Sequence, residues 1–263
     1  MKELFYTLVF LIFFTRLSAQ EFMLSSPNEL IRVELHQPDE VTENWYFKVF
    51  YNESPSEKAL IPKIEMGLAR NDEGFSSNLK LRKTGKIKSI SEAYNLIHGK
   101  RSSTSNAARE VTFYFRNDSG KKMNIVLRVY NDGVAFRYEF PDKEGNFSID
   151  NEFTAFSISV DATRWLEKWN PANEGLYQQM QGDSLRGEWG YPALFHDRDT
   201  IGWYLIHEAN LNRTYAGTKL SNTKDINTYN LVFPNPGDGR GTGKSKPDIS
   251  TPWQSPWRVI IIG

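Results

Sequence analysis

The chain of 263 residues has no cysteine, no surplus of charge of either sign and only four histidines. Each shortage excludes something. Without cysteine there is no disulfide framework and no thiolate zinc cluster, so the fold is held by burial alone. The 32 basic residues match the 32 acidic ones, which leaves no basic excess to hold nucleic acid or an anionic membrane. His36, His98, His196 and His207 stand at no zinc-finger or His-Glu-x-x-His spacing, so a transition-metal site has no sequence support. Calcium is a separate matter, because scattered carboxylates and carbonyls bind it without any fixed spacing outside EF-hands.

Long apolar runs are also missing. The one candidate, Leu4 to Phe14, falls well short of the roughly 20 residues that crossing a bilayer takes. Lys2 precedes it and Ser18-Ala19-Gln20 follows, which reads as a signal peptide over residues 1–19 with cleavage before Gln20. The expectation is an exported bacterial product, periplasmic or extracellular, with no membrane anchor and no cysteine to carry a lipid.

What is abundant is aromatic: seven tryptophans, 12 tyrosines and 17 phenylalanines, which suit a large β core and, for a few of them, stacking on sugars. The apolar pattern has a period of two in Ile31–Leu35 and Trp45–Tyr51. Further strands are expected at 79–87, 111–116, 124–130, 134–140, 153–160, 203–206, 228–233 and 257–262, separated by turn residues. Asn131-Asp132-Gly133 marks a tight hairpin in which the glycine is expected to supply a positive φ, and Asn117-Asp118-Ser119-Gly120 turns the preceding strand into it. The fold class is therefore all-β, a large antiparallel β-sandwich forming one domain over residues 20–263. Two long loops are expected, Gly99 to Ala107 and Asn235 to Pro252, and the second is a candidate to line a site.

Local motifs are weak. Gly182-Asp183-Ser184-Leu185 spells a serine-esterase signature but stands in an all-β context, so it reads as a turn. Gly237 to Ser245 resembles a phosphate loop, yet Asp238 occupies a position that needs glycine, and it reads as a surface loop. Asp197 and Asp199 read as hairpin-turn residues. Glu208 follows the apolar strand Gly202 to Ile206, and from spacing alone a solvated glutamate at a loop edge is the simpler account.

Several blocks taken together resemble the N-terminal domain of glycoside hydrolase family 97, a family of α-glucosidases and α-galactosidases. They are Ser26-Pro27, Met66-Gly67-Leu68, Arg128 to Tyr138, His207 to Leu211, Tyr215 to Leu220 and Ser255 to Gly263, spread over about residues 24–263. The resemblance implies a galactose-mutarotase-like supersandwich that packs against a catalytic (β/α)₈ barrel, with an α-linked oligosaccharide as substrate. It also implies that Glu208 contributes to a calcium site shared with that barrel. The catalytic carboxylates of the family belong to the barrel, so no catalytic residue is expected in this chain. Tyr191-Pro192-Ala193-Leu194-Phe195 departs from the Pro-Leu-Thr of many members, which leaves retaining or inverting chemistry open.

The resulting expectation is the carbohydrate-binding N-terminal domain of a calcium-dependent α-glycosidase. The alternative is a free-standing periplasmic carbohydrate-binding or structural module, in which Trp165, Trp169, Trp189 or Trp253 would stack on sugars and would have to be exposed. A mutarotase-like enzyme would need an acid and a base converging in one cleft, and adjacent His207 and Glu208 on a strand would point to opposite faces.

Overall fold

The computed structural model describes residues 22–38, 43–54, 57–182, 185–239, 241 and 243–263. The expected signal peptide lies outside them, as do Asp183 and Ser184 of the esterase-like tetrapeptide. Among the described residues there is no helix, and every strand pairing is antiparallel. The sandwich expected from the period-two pattern is present.

The larger sheet has eleven strands. Its main path runs Tyr177–Gln181, Thr163–Glu167, Ala193–His196, Trp203–Ala209, Trp257–Ile262, Gly133–Phe140, Lys122–Tyr130, Ser103–Arg116, Lys80–Thr84. The smaller sheet has eight: Phe22–Ser25, Ile31–His36, Tyr46–Tyr51, Ile61–Glu65, Ala155–Ser157, Thr228–Val232, Lys219–Ser221, Glu188–Trp189. A four-stranded end sheet of Asp248–Ser250, Asn146–Glu152, Leu68–Arg70 and Gly74–Phe75 completes the fold.

Alternation decides which side chains face inward. In Gly133–Phe140 Val134, Phe136, Tyr138 and Phe140 face the core, while the other face carries buried Ala135 and half-buried Arg137 and Glu139. Aromatic rings from the two large sheets meet between them: Phe47 lies 5.7 Å from Phe136 and 6.1 Å from Phe113. Phe22 packs edge-on against Phe113 at 5.1 Å. Burying rings of this size supplies the apolar area that a cysteine-free domain depends on.

The expected three-strand meander is present, with Tyr130 paired to Gly133 across the Asn131-Asp132 turn and Gly120 at φ 83° in the turn before it. The reason for Gly133 differs from expectation. It has no left-handed φ; a Cβ there would meet the Ile260 carbonyl oxygen at 2.4 Å, so glycine is needed for close approach of two strands. The expected loop Gly99 to Ala107 is also corrected. Ser103–Arg116 is one 14-residue strand whose first half pairs with Lys88–Asn95. This hairpin arm is polar and largely exposed on both faces, so it carries no apolar alternation to read. Likewise, 153–160 is not one strand: Asn146–Glu152 ends in the end sheet and Ala155–Ser157 enters the smaller one. Asp197 and Asp199 do stand between the paired strands Ala193–His196 and Trp203–Ala209, and Asp197 accepts a 2.9 Å bond from the Thr200 N–H.

Candidate functional site

One cleft of about 1020 Å³ opens at the end of the sandwich where Trp203–Ala209 leaves the larger sheet. His207 and Glu208 line it, together with the segment Tyr215 to Lys219, Trp169, Tyr191 and most of the long loop from Pro234 to Asp248. The long loop, expected as a candidate to line a site, lines this cleft. His207 is exposed and Glu208 buried, as alternation along the strand requires. The His207 ring lies 5.8 Å from that of Tyr191.

Glu208 is not a solvated loop-edge residue. It stands directly across from Arg258 in the ladder between Trp203–Ala209 and Trp257–Ile262, and both side chains face the interior. Arg258 Nη1 donates to Glu208 Oε2 at 2.8 Å. The Thr218 hydroxyl donates to the same oxygen at 2.7 Å, and the Thr218 N–H donates to Oε1 at 3.1 Å. Tyr191 donates in turn to the Thr218 hydroxyl at 3.3 Å, whose own proton is committed to Glu208.

The other side of Arg258 is taken by Glu152. Nε donates to Oε1 at 2.8 Å and Nη2 to Oε2 at 2.6 Å, a two-pronged pair. Tyr215 also donates to Glu152 Oε2, and Thr154 donates to Oε1 at 2.8 Å. Behind Thr154 the chain of donors continues through Tyr138, at 2.7 Å, to the Gly67 N–H, at 3.1 Å. Gly67 reaches this position because no Cβ obstructs it: one would lie 2.7 Å from Ser76 Cβ.

The electrostatics follow from these contacts. Burial is the largest single influence and opposes the Arg258 charge, but Glu152, Tyr215 and Glu208 together outweigh it, and the guanidinium is held well above its ordinary range. Burial pushes the Tyr215 hydroxyl well up, and the charge of Glu152 adds to the shift. Tyr138 and Tyr191 are raised by burial, reinforced by Glu152 and by Glu208 respectively.

Counting donors separates the two carboxylates. A carboxylate offers about four lone-pair directions. Glu152 uses all of them, on Arg258 twice, Thr154 and Tyr215. Glu208 has three donors, and one direction of Oε1 has none among the described residues. That oxygen lies beside Gly217, whose absent Cβ would stand 3.7 Å away, in the cleft wall. Two carboxylates against one guanidinium also leave the buried group with a net negative charge if both are anions.

The other described carboxylates lining the cleft are occupied. Asp238 Oδ2 lies 3.5 Å from Lys219 Nζ, which also donates to Glu188 at 2.7 Å and sits 4.1 Å over the Trp169 ring. Asp248 pairs with Lys244. No free carboxylate pair of the kind glycoside hydrolysis requires stands among the described residues of this cleft. Among the described residues no group of three or more His, Asp or Glu side chains is placed to hold a metal. Glu208 Oε1 would supply one of the six to eight oxygens that calcium takes, and the others would have to come from elsewhere.

Of the tryptophans expected to stack on sugars, Trp189 and Trp253 are overturned: both are buried, Trp189 donating to Asn222 at 2.9 Å and Trp253 stacked on Tyr215. Trp165 stacks on the exposed Trp203 at 5.0 Å outside the cleft, and Trp169 is half-buried in the cleft wall. Sequence reading missed Arg258 and Glu152 as site residues. A signal for Arg258 existed, since it lies in phase with buried Ile260 and Ile262 and a charge there must find a partner.

An all-antiparallel sandwich, with a cleft walled by a strand-end carboxylate and long loops, defines a large β-sandwich domain of the kind carried by carbohydrate-active enzymes. The chain belongs to glycoside hydrolase family 97: the model of the family's N-terminal domain matches residues 24–263. It is 33% identical over 193 residues to a probable retaining alpha-galactosidase of Streptomyces bingchenggensis (strain BCW-1), matching 73% of this chain and 28% of that protein. The crystal structure of a beta-arabinopyranosidase superposes with a TM-score of 0.83 at 26% identity, covering 93% of this chain and 40% of that one. A family 97 enzyme from Pseudoalteromonas sp. strain K8 in complex with acarbose shares the fold, with a TM-score of 0.76 at 23% identity, covering 92% of this chain and 35% of that one. The chain thus spans about a quarter to two fifths of the relatives it matches.

Proposed function

We propose that this chain is the exported, carbohydrate-facing support domain of a family 97 α-glycosidase, and that Glu208 extends a carboxylate oxygen from its cleft to a calcium ion shared with a catalytic barrel. The observation that carries the reading is the placement of Glu208: hydrogen-bonded by Arg258 and Thr218, with one direction of Oε1 free of donors among the described residues at the cleft wall. A hard cation favours such an oxygen donor. When bound, calcium supplies a fixed positive charge able to grip sugar hydroxyls. The chain's own residues fix the carboxylate (Arg258, Thr218), shape the wall (Trp169, Tyr191) and keep the neighbouring acids paired (Lys219, Lys244).

Calcium is expected to raise the thermal midpoint of the enzyme that carries this domain together with the barrel completing the site, since a ligand that binds only the folded form stabilises it. Glu208→Gln is expected to abolish that rise, and an equal rise in both proteins would sink the assignment. A second reading, the free-standing carbohydrate-binding module, is favoured by half-buried Trp169 in the cleft wall. Calorimetric titration with panose separates the two. The support-domain reading expects no saturable heat at sub-millimolar ligand, whereas tight binding lost in Trp169→Ala would favour the module.

A further inference from the structure

We infer that Glu152, a residue with no contact to the cleft, sets the charge that Glu208 presents there: it occupies the Arg258 guanidinium and so leaves Glu208 a net anion toward a cation. The inference rests on the reading of Glu208 as a cation donor.

The geometry makes Glu152 the stronger partner. It takes Nε and Nη2 of Arg258 through both of its oxygens, whereas Glu208 receives only Nη1, on Oε2. The Glu152 side chain is fully buried, Arg258 is 1% exposed, and neither lines the cleft. In such surroundings water screens little, so the charges answer to each other. In Glu152→Gln, Arg258 would be balanced by Glu208 alone. The pair would then carry no net charge, and the guanidinium would repel a cation approaching Oε1. With a glutamate bonded to Nε and Nη2, the guanidinium already has a carboxylate partner and the attraction of Glu208 survives. Tyr215 and Thr154 support this by donating to Glu152 without adding charge. Glu152 is therefore a positioning residue acting through Arg258, and Gly67, Tyr138 and Thr154 form the chain of donors that keeps it in place.

Terbium(III) tests this as a stand-in for calcium, because Tyr191 and Tyr215 flank the site and would sensitise its emission. The full-length enzyme, barrel included, is titrated as wild type, Glu208→Gln, Glu152→Gln and Glu152→Asp, with circular dichroism recorded on each. Glu208→Gln is expected to remove the tyrosine-sensitised emission. Glu152→Gln is expected to weaken terbium binding by about tenfold or more with the spectrum of the fold unchanged, and Glu152→Asp, which keeps the charge, to stay within about threefold of wild type. Wild-type affinity in a folded Glu152→Gln protein overturns the inference and leaves the Glu208 reading intact. Emission that does not depend on Glu208 in the wild type overturns the Glu208 reading itself. Should Glu152→Gln not fold, Glu152→Asp decides alone: a tenfold loss with the charge retained makes the role one of shape and overturns the inference.

Discussion

Two kinds of interior lie side by side in this domain. Between the large sheets, Phe47, Phe113 and Phe136 pack ring against ring, and toward the cleft Arg258, Glu152 and Glu208 form a buried charged knot. The last strand, Trp257–Ile262, passes through both: Ile260 and Ile262 belong to the first, Arg258 to the second. The aromatic interior is held by area and tolerates exchange among residues of similar volume. The knot is held by four donors on Glu152 and three on Glu208 and tolerates almost no exchange, because removing one partner strands a charge away from water. A buried ion network is a poor stabiliser for its size.

The largest expected effect breaks both interiors at once. Tyr138, Tyr191 and Tyr215 around the knot, and Tyr204 in the apolar core, are all raised by burial, and Tyr229 is raised to about 12. Folded-state values above the ordinary tyrosine value of about 10 mean that the unfolded chain loses these protons first. Their contribution is therefore intact below pH ~10 and is lost as pH rises beyond it, by about 1.4 kcal/mol per pH unit for each tyrosine. Urea midpoints measured from about pH 9 to 11 should fall steeply, with tyrosinate absorbance appearing only as the chain unfolds; tyrosinate formed in the folded protein would refute the burial account.

Next in size is the contrast along the last strand. Arg258→Met leaves Glu152 and Glu208 buried without a cation and is expected to cost about 3–5 kcal/mol, whereas Ile260→Val two residues on should cost about 1 kcal/mol. Chemical denaturation of the two variants checks this, and equal losses would mean that the knot is ordinary packing. The smallest effect lies on the hairpin arm. Ile97 at its tip is 99% exposed, so Ile97→Ser should change stability by no more than about 0.5 kcal/mol, and a larger loss would show that the tip is packed in solution.

The same contrast explains what could be read in the amino-acid order. Inward faces of strands such as Gly133–Phe140 were legible because burial imposes a period of two. The hairpin arm was not, because backbone pairing without burial leaves no period, and Ser103 to Ala107 therefore looked like a loop. Gly133 was recognised as necessary for the wrong reason, since a local turn was visible and the approach of Ile260 was not. Glu208 was singled out only through resemblance to the family. Its partner Arg258 stood in plain phase with the isoleucines, yet nothing nearby in the chain announced Glu152, over a hundred residues away. Five of the six blocks that carried the resemblance converge in space: Gly67, Tyr138, Glu208, Tyr215, Thr218 and Arg258 all belong to the knot or its donors.

By itself the sequence determined an all-β domain without disulfides, its main hairpins and the inward faces of its strands, because alternation and turn chemistry act over a few residues. Tertiary structure alone decided which carboxylate is saturated and which keeps a free direction toward the cleft. That difference depends on Glu152, Glu208 and Arg258 being brought from three separate strands into one water-excluded place, where a single hydrogen bond or charge outweighs any local preference.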